Sequence, residues 1–319
     1  MALTWQPLGL IFDPTEHDLP MGCIDFAQAP QALVLADRIR VFFSMRRKDT
    51  PTTYLSHIGS ADFSLDWSSI LNVSKEGIIP LGQTGTFDEH GIFPLNVFQH
   101  SGEIYGFTTG WSRRVSVPSE SAIGLGISKD NGKTFERVGP GPILSATLNE
   151  PFLIADGCGL SHDGLVHMWY LFGQRWKLGS ESKQPERVYK IGHATSTDLL
   201  TWSRTGTAII PDRIDSDECQ ALPTVFSADG RFHMIFCYRP YEGFRTGGEK
   251  GYRLGYASSR DLIQWSRDDI AGGIDFPNSE WDSKMRCYPN VVNVKGQYFL
   301  LYNGNDFGRR GFGLAQLDM

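Results

Sequence analysis

Acidic residues recur at one place in this sequence, shortly before each of five apolar runs. Asp25, Asp88 with Glu89, Glu150, Asp217 with Glu218, and Asp282 beside Lys284 each precede such a run, and Asp156 stands inside one. If the runs are equivalent strands around an axis, these groups converge at one height. Crowded carboxylates push one pKa up while another group stays ionised, the division of labour that glycosidic cleavage requires. Asp or Glu before a strand is also an ordinary solvated turn residue, and at any single position that reading weighs at least as much. Recurrence in all five runs favours convergence. A buried ring of uncompensated carboxylates is costly, so its members must be protonated, paired with Arg or Lys, or open to a ligand.

The runs share a frame. Ala29-Pro30, Phe93-Pro94, Asp156-Gly157, Leu222-Pro223 and Tyr288-Pro289 each open an apolar stretch that ends in a polar turn, such as Asp229-Gly230 or Lys295-Gly296. Taking anchors at 30, 94, 156, 223 and 289 gives a period of 62 to 67 residues, with Asp156 standing where the others have Pro. A second marker keeps phase with the first. Ser60-Ala61-Asp62, Ser128-Lys129-Asp130, Ser196-Thr197-Asp198 and Ser259-Arg260-Asp261 follow strand-like runs and precede Trp67, Phe135, Trp202 and Trp265. Short polar side chains bond their own backbone in such turns, and the aromatic pins the turn to the core. Five copies at a near-constant period predict a repeat architecture: an all-β, five-bladed β-propeller forming a single domain over 1–319. Channel-lining strands are expected near 30–36, 94–99, 156–161, 223–228 and 289–294. The last strand, Gly311 to Leu317, has no Ser-x-Asp turn after it, so the N-terminal segment is expected to pair there and close the ring.

Composition narrows the partners. In 319 residues the formal net charge is −6, and no Lys/Arg block stands out, which argues against nucleic acid or an anionic membrane. The five cysteines are scattered without a Cys-x-x-Cys pair, and the eight histidines form no His-x-x-x-His pair, so neither a transition metal nor another cofactor is expected, while a hard cation such as calcium in the channel stays open. No basic-then-apolar leader and no long apolar run is visible, and a cytoplasmic setting fits.

Arginines leave or enter the expected channel strands at Arg46, Arg175, Arg239 and Arg286. A planar guanidinium binds phosphate or carboxylate through two bonds at once, so these four could form an anion cradle. Arg47 and Lys48, beside Arg46, read as a solvated hairpin tip. Trp111 serves equally as core filling or as a sugar-stacking platform. The polar stretch from Leu178 to Arg187 reads as a surface loop overhanging the site.

The architecture resembles the five-bladed β-propeller glycosidase superfamily, which includes arabinanases, xylosidases, invertases and mannoside phosphorylases, and the resemblance spans nearly the whole chain. A closer resemblance is to a bacterial branch often linked with polysaccharide gene clusters. It rests on Ile39-Arg40-Val41, Gly85-Thr86-Phe87-Asp88-Glu89-His90-Gly91, Ile123-Gly124-Leu125-Gly126-Ile127-Ser128, Trp281-Asp282 with Cys287-Tyr288-Pro289, and Tyr302-Asn303-Gly304-Asn305. The superfamily implies a glycoside hydrolase-like enzyme with Asp25 as base, Glu218 as acid, and Asp88 or Asp156 tuning them. The chain departs from its pattern in having Ala29 before Pro30, and Glu218 five residues before Pro223. Around these, Arg46, Glu89, Trp111, Glu150, Arg175, Arg239, Asp282, Arg286 and Asn303 are the expected sugar-binding residues. Two alternatives stay open. One is a phosphorylase or an enzyme directed at phosphosugars or nucleotide sugars, using the arginine cradle. The other is a non-catalytic carbohydrate-binding propeller relying on Trp111, Trp169 and Trp176.

Overall fold

A computed structural model describes residues 2–179, 184–246 and 248–318. The alternating runs fold as antiparallel ribbons. After β1 (Thr4–Phe12), the first blade holds β2 (Asp25–Val34), β3 (Ile39–Lys48), β4 (Tyr54–Phe63) and β5 (Ile70–Val73). The second holds β6 (Gly91–His100), β7 (Glu103–Arg113), β8 (Ser119–Ser128) and β9 (Glu136–Arg137). The third holds β10 (Ile154–His162), β11 (Leu165–Leu178), β12 (Pro185–Ser196) and β13 (Ser203–Arg204). The fourth holds β14 (Cys219–Ala228), β15 (Arg231–Arg239), β16 (Arg253–Ser259) and β17 (Ser266–Arg267). The fifth holds β18 (Cys287–Val294), β19 (Gln297–Asn303) and β20 (Phe312–Asp318), with β1 pairing β20 as its fourth strand. The fold is a five-bladed β-propeller, and β2, β6, β10, β14 and β18 are the expected inner strands. Among the described residues no helix is long and apolar enough to cross a membrane.

The anchors mark a repeated bulge. In every inner strand the pairing register skips a pair at the anchor, 29–30, 93–94, 156–157, 222–223 and 288–289, and β2 skips a second at 26–27, where Phe26 is left-handed. The first residue of the pair is left-handed in four blades, at Ala29 (φ 51°), Asp156 (φ 58°), Leu222 (φ 45°) and Tyr288 (φ 58°). A bulge re-aims its side chains and bends the strand, and Asp tolerates the left-handed region better than most residues. This corrects the alignment drawn from sequence. Asp156 does not take the place of the proline; Gly157 does, and Asp156 matches Ala29, Phe93, Leu222 and Tyr288.

The Ser-x-Asp turns form as expected in three blades. Ser128, Ser196 and Ser259 donate to Asp130, Asp198 and Asp261 at 2.8, 3.0 and 3.0 Å, and the next residue is left-handed. The first blade needs a correction. Ser60-Ala61-Asp62 lies inside β4, where Asp62 accepts two bonds from Arg40, because that strand runs on to Phe63. The turn there is Ser64-Leu65-Asp66, with a 2.6 Å Ser64–Asp66 bond and left-handed Trp67.

Inner strands of neighbouring blades leave N–H groups unpaired, and side chains satisfy them. Asn290 Oδ1 accepts from Ala32 at 2.9 Å, Thr224 Oγ1 from Val291 at 3.0 Å and Asn96 Oδ1 from Gly159 at 3.1 Å. The ring closes over Phe312, which packs against Phe12, Phe43 and Phe63 with ring centroids 5.2 to 6.1 Å apart. Asn303, expected at the sugar, lies wholly buried at this seam. It accepts from Ala29 N–H and donates to the carbonyls of Ala27 and Gly311.

Candidate active site

A cavity of about 430 Å³ is lined by residues of all five blades. The bulges aim its floor: Phe93, Asp156, Leu222 and Tyr288, four of the five residues that start them, all line it. Its wall has two characters. Blades one to three contribute Arg46, Arg113, Arg187, Thr109, Ser119 and Ser121, beside Trp111. Tyr189, Tyr252 and Tyr288 join Leu171 and Leu222 in the lining, with Tyr189 two residues along β12 from Arg187. Burial pushes Tyr252 up to about 12 and holds Tyr189 and Tyr288 well above the usual phenol range, so all three stay neutral. Tyr189 and Tyr252 share a 2.6 Å hydroxyl bond.

Asp156 is the one carboxylate on this wall among the described residues. It is 6% exposed, and its side chain accepts a single bond, from Leu222 N–H at 3.3 Å. Its own N–H donates to Thr109 Oγ1 at 2.7 Å, which fixes the backbone. Burial pushes the carboxyl up to about 7, against the opposing pull of the Leu222 N–H and the nearby Arg187 charge. At neutral pH it is therefore divided between acid and anion, the condition suited to a proton donor.

The other acidic residues do not converge on the cavity. Glu218, fully buried, accepts from Arg267 at 2.6 Å, from the N–H groups of Arg213 and Ile214 at 2.9 and 3.0 Å, and from Gln220 at 3.0 Å. Asp88 is held by Arg137 and Thr86 at 2.9 Å each. Glu150 takes a 2.5 Å bond from Tyr170 and a 2.9 Å ion pair with Arg204. Three of these partners, Arg137, Arg204 and Arg267, are the last residues of β9, β13 and β17. Chain entering an inner strand is thus clamped to an outermost strand of its own blade, away from the axis. The fifth blade has β1 outermost, and Asp282 instead pairs with Arg286 at 2.9 Å. Arg286 is further held over the Phe276 ring at 4.2 Å.

The remaining sequence candidates divide. Arg46 and Trp111 line the cavity. Asp25 lies opposite Arg46 in register and pairs with exposed Arg309 at 3.1 Å. Glu89 accepts from Gly85 N–H at 2.8 Å and faces His90, whose ring stacks near Trp111 at 5.9 Å. Arg239 lies fully buried behind the wall, 3.5 Å from the Phe244 centroid and 5.2 and 5.3 Å from those of Tyr189 and Tyr252. Arg175 is at the surface with Asp217 and Lys177. Trp169 is buried in the core against Trp265. The supposed loop from Leu178 to Arg187 is shorter than expected, since β11 and β12 extend into it, and its middle lies outside the described residues. Arg187, Arg113 and the tyrosines were missed in the sequence. The signal available for the floor was the residue before each anchor, which the bulge turns upward. Among the described residues, no group of three or more His, Cys, Asp or Glu is placed to hold a metal.

No family model matches the sequence. "Uncharacterized protein MT1551" of Mycobacterium tuberculosis (strain CDC 1551 / Oshkosh) is 30% identical over 322 residues, covering 99% of this chain and 100% of that protein. The chain belongs to the MT1551 family. A partial match, 25% identical over 142 residues, covers 44% of the chain and 42% of a "1,2-beta-oligomannan phosphorylase" from Thermoanaerobacter sp. (strain X514). A solved structure described as "Glycoside hydrolase" superposes with a TM-score of 0.73 at 17% identity, covering 99% of this chain and 92% of that one. That likeness shows the fold alone, a five-bladed β-propeller.

Proposed function

We propose that this member of the MT1551 family is a carbohydrate-active, glycoside hydrolase-like enzyme working in the funnel, with Asp156 as general acid. The observation that carries this is the lone wall carboxylate, buried and near-neutral in pKa, beside neutral tyrosine donors and Trp111. Asp156 gives its proton to the glycosidic oxygen as the bond to the anomeric carbon breaks. Water adds to that carbon and loses a proton. That proton leaves with bulk water, since Asp25, the base expected from sequence, lies outside the cavity lining and pairs with Arg309. Trp111 offers an aromatic face to the sugar, and hydroxyls of Thr109, Ser119 and Ser121 offer hydrogen bonds. The names of the phosphorylase relative and of the glycoside hydrolase neighbour both concern glycosidic bonds, which supports the reading.

We assign a sugar or glycoconjugate as the ligand, and neither nucleic acid nor a membrane as partner. The five cysteines are free and buried, which fits a reducing compartment and a cytoplasmic location. The test is turnover of a panel of aryl glycosides and oligosaccharides. Asp156→Asn is expected to lower kcat by about 10²–10⁴, the contribution of a positioned acid. Wild-type turnover in that variant, on a substrate the native protein cleaves, removes Asp156 from the chemistry.

A further inference from the structure

We infer that the glycoside held in this cavity carries an oxyanion, a phosphoryl or carboxylate group, bound by Arg46 and Arg187. The inference rests on the reading of the funnel as a glycoside site. Three arginines reach this wall in a chain whose net charge is −6. Arg113 is already satisfied, donating to Asp49 and to the Tyr54 carbonyl at 2.8 Å each. The other two are not. Arg46 uses only its Nε, donating to Gln28 at 3.0 Å, with its guanidinium 4.5 Å over the Phe26 ring. Those two contacts fix the stem and the plane of the fork and leave its terminal nitrogens without an acceptor among the described residues. Arg187 makes one long contact, to Ser119 at 3.3 Å.

Neither arginine has an ion-pair partner among the described residues, whereas Arg40, Arg137, Arg204, Arg267 and Arg286 each hold a carboxylate. The lone acid on the wall, Asp156, is partly protonated at neutral pH and cannot balance two guanidinium charges. A neutral glycan filling the cavity would strip water from both charges and replace it with weaker partners. An oxyanion on the sugar meets pre-oriented forks that match its geometry. The two forks stand on different blades, Arg46 on β3 and Arg187 on β12, and both line the one cavity.

The experiment is calorimetric titration of the whole protein with four probes: methyl glucoside, methyl glucuronide, glucose 1-phosphate and inorganic phosphate, each at low and high salt. At least one charged sugar is expected to bind ten-fold or more tighter than the neutral glucoside. Arg46→Met and Arg187→Met should each remove most of that preference and flatten its salt dependence. Glucuronide against glucose 1-phosphate separates the carboxylate from the phosphoryl source. Equal binding of neutral and charged sugars, or undiminished preference in both variants, overturns the inference. So does cleavage of neutral glycosides only when inorganic phosphate is supplied, because the oxyanion would then be a co-substrate. Arginine-dependent binding of charged sugars that are never cleaved would uphold this inference while removing the glycosidase reading. Arginine-independent cleavage of neutral ones would do the reverse.

Discussion

Glu218 and Asp156 are both buried carboxylates placed by the same repeat, yet their surroundings treat them oppositely. Glu218 has four donors, including the guanidinium of Arg267, and lies off the axis. Asp156 has one, the Leu222 N–H, and faces a cavity. The clamps at Asp88, Glu150 and Glu218 share one geometry in three successive blades. Asp156 has no counterpart, since Ala29, Phe93, Leu222 and Tyr288 occupy its position elsewhere. In a repeat protein, what recurs holds the ring together, and what departs from the repeat is free to do chemistry.

Breaking a clamp should have the largest effect on stability. Glu218→Gln leaves buried Arg267 with Asp269 alone of its two carboxylates, so the cost approaches that of a broken buried pair, about 3–5 kcal/mol. The urea midpoint should drop accordingly, while ligand affinity of the folded fraction stays at the native level. A Glu218→Gln protein of native stability would show that the clamp is not structural.

The matching change at Asp156 should act with opposite sign. Its folded pKa, about 7, lies above the ordinary carboxyl value of 3.8, so the folded protein binds the extra proton between those values. Stability from this group is therefore full below about 4 and declines as pH rises to about 7. Asp156→Asn escapes that decline. It should exceed the wild type above pH 7 by up to about 4 kcal/mol, at about 1.4 kcal/mol per unit. Parallel stability curves for the two proteins from pH 4 to 8 would remove the burial argument.

The smallest effect comes from Arg187, whose charge opposes burial at Asp156. Arg187→Met should move the alkaline limb of the rate profile upward by about one unit or less. A downward move contradicts the assigned electrostatics.

Much of the ring was legible because its signals are local. Pro30, Pro94, Pro223 and Pro289 mark bulges, and Ser-x-Asp marks outer turns, so the blade count and inner strands follow from spacing alone. The first-blade turn was misplaced because Ser60-Ala61-Asp62 and Ser64-Leu65-Asp66 carry the same residue types four positions apart, and only strand length separates them. The site was harder to read. Acidic residues before each strand looked like a converging set, but Arg137, Arg204 and Arg267, which pair three of them, lie about fifty residues further on. Arg187 enters through β12, and no sequence pattern marks that strand's end as a wall.

Direct titration of the Asp156 carboxyl addresses the central claim, that one buried, unclamped acid serves the funnel. Carbon-13 NMR of side-chain carboxyls, assigned by the signal lost in Asp156→Asn, would follow it from pH 3 to 9. The account predicts a midpoint at about 7, matched by the alkaline limb of turnover. A midpoint near the ordinary 3.8 would leave the funnel with no proton to give at neutral pH and would contradict the account.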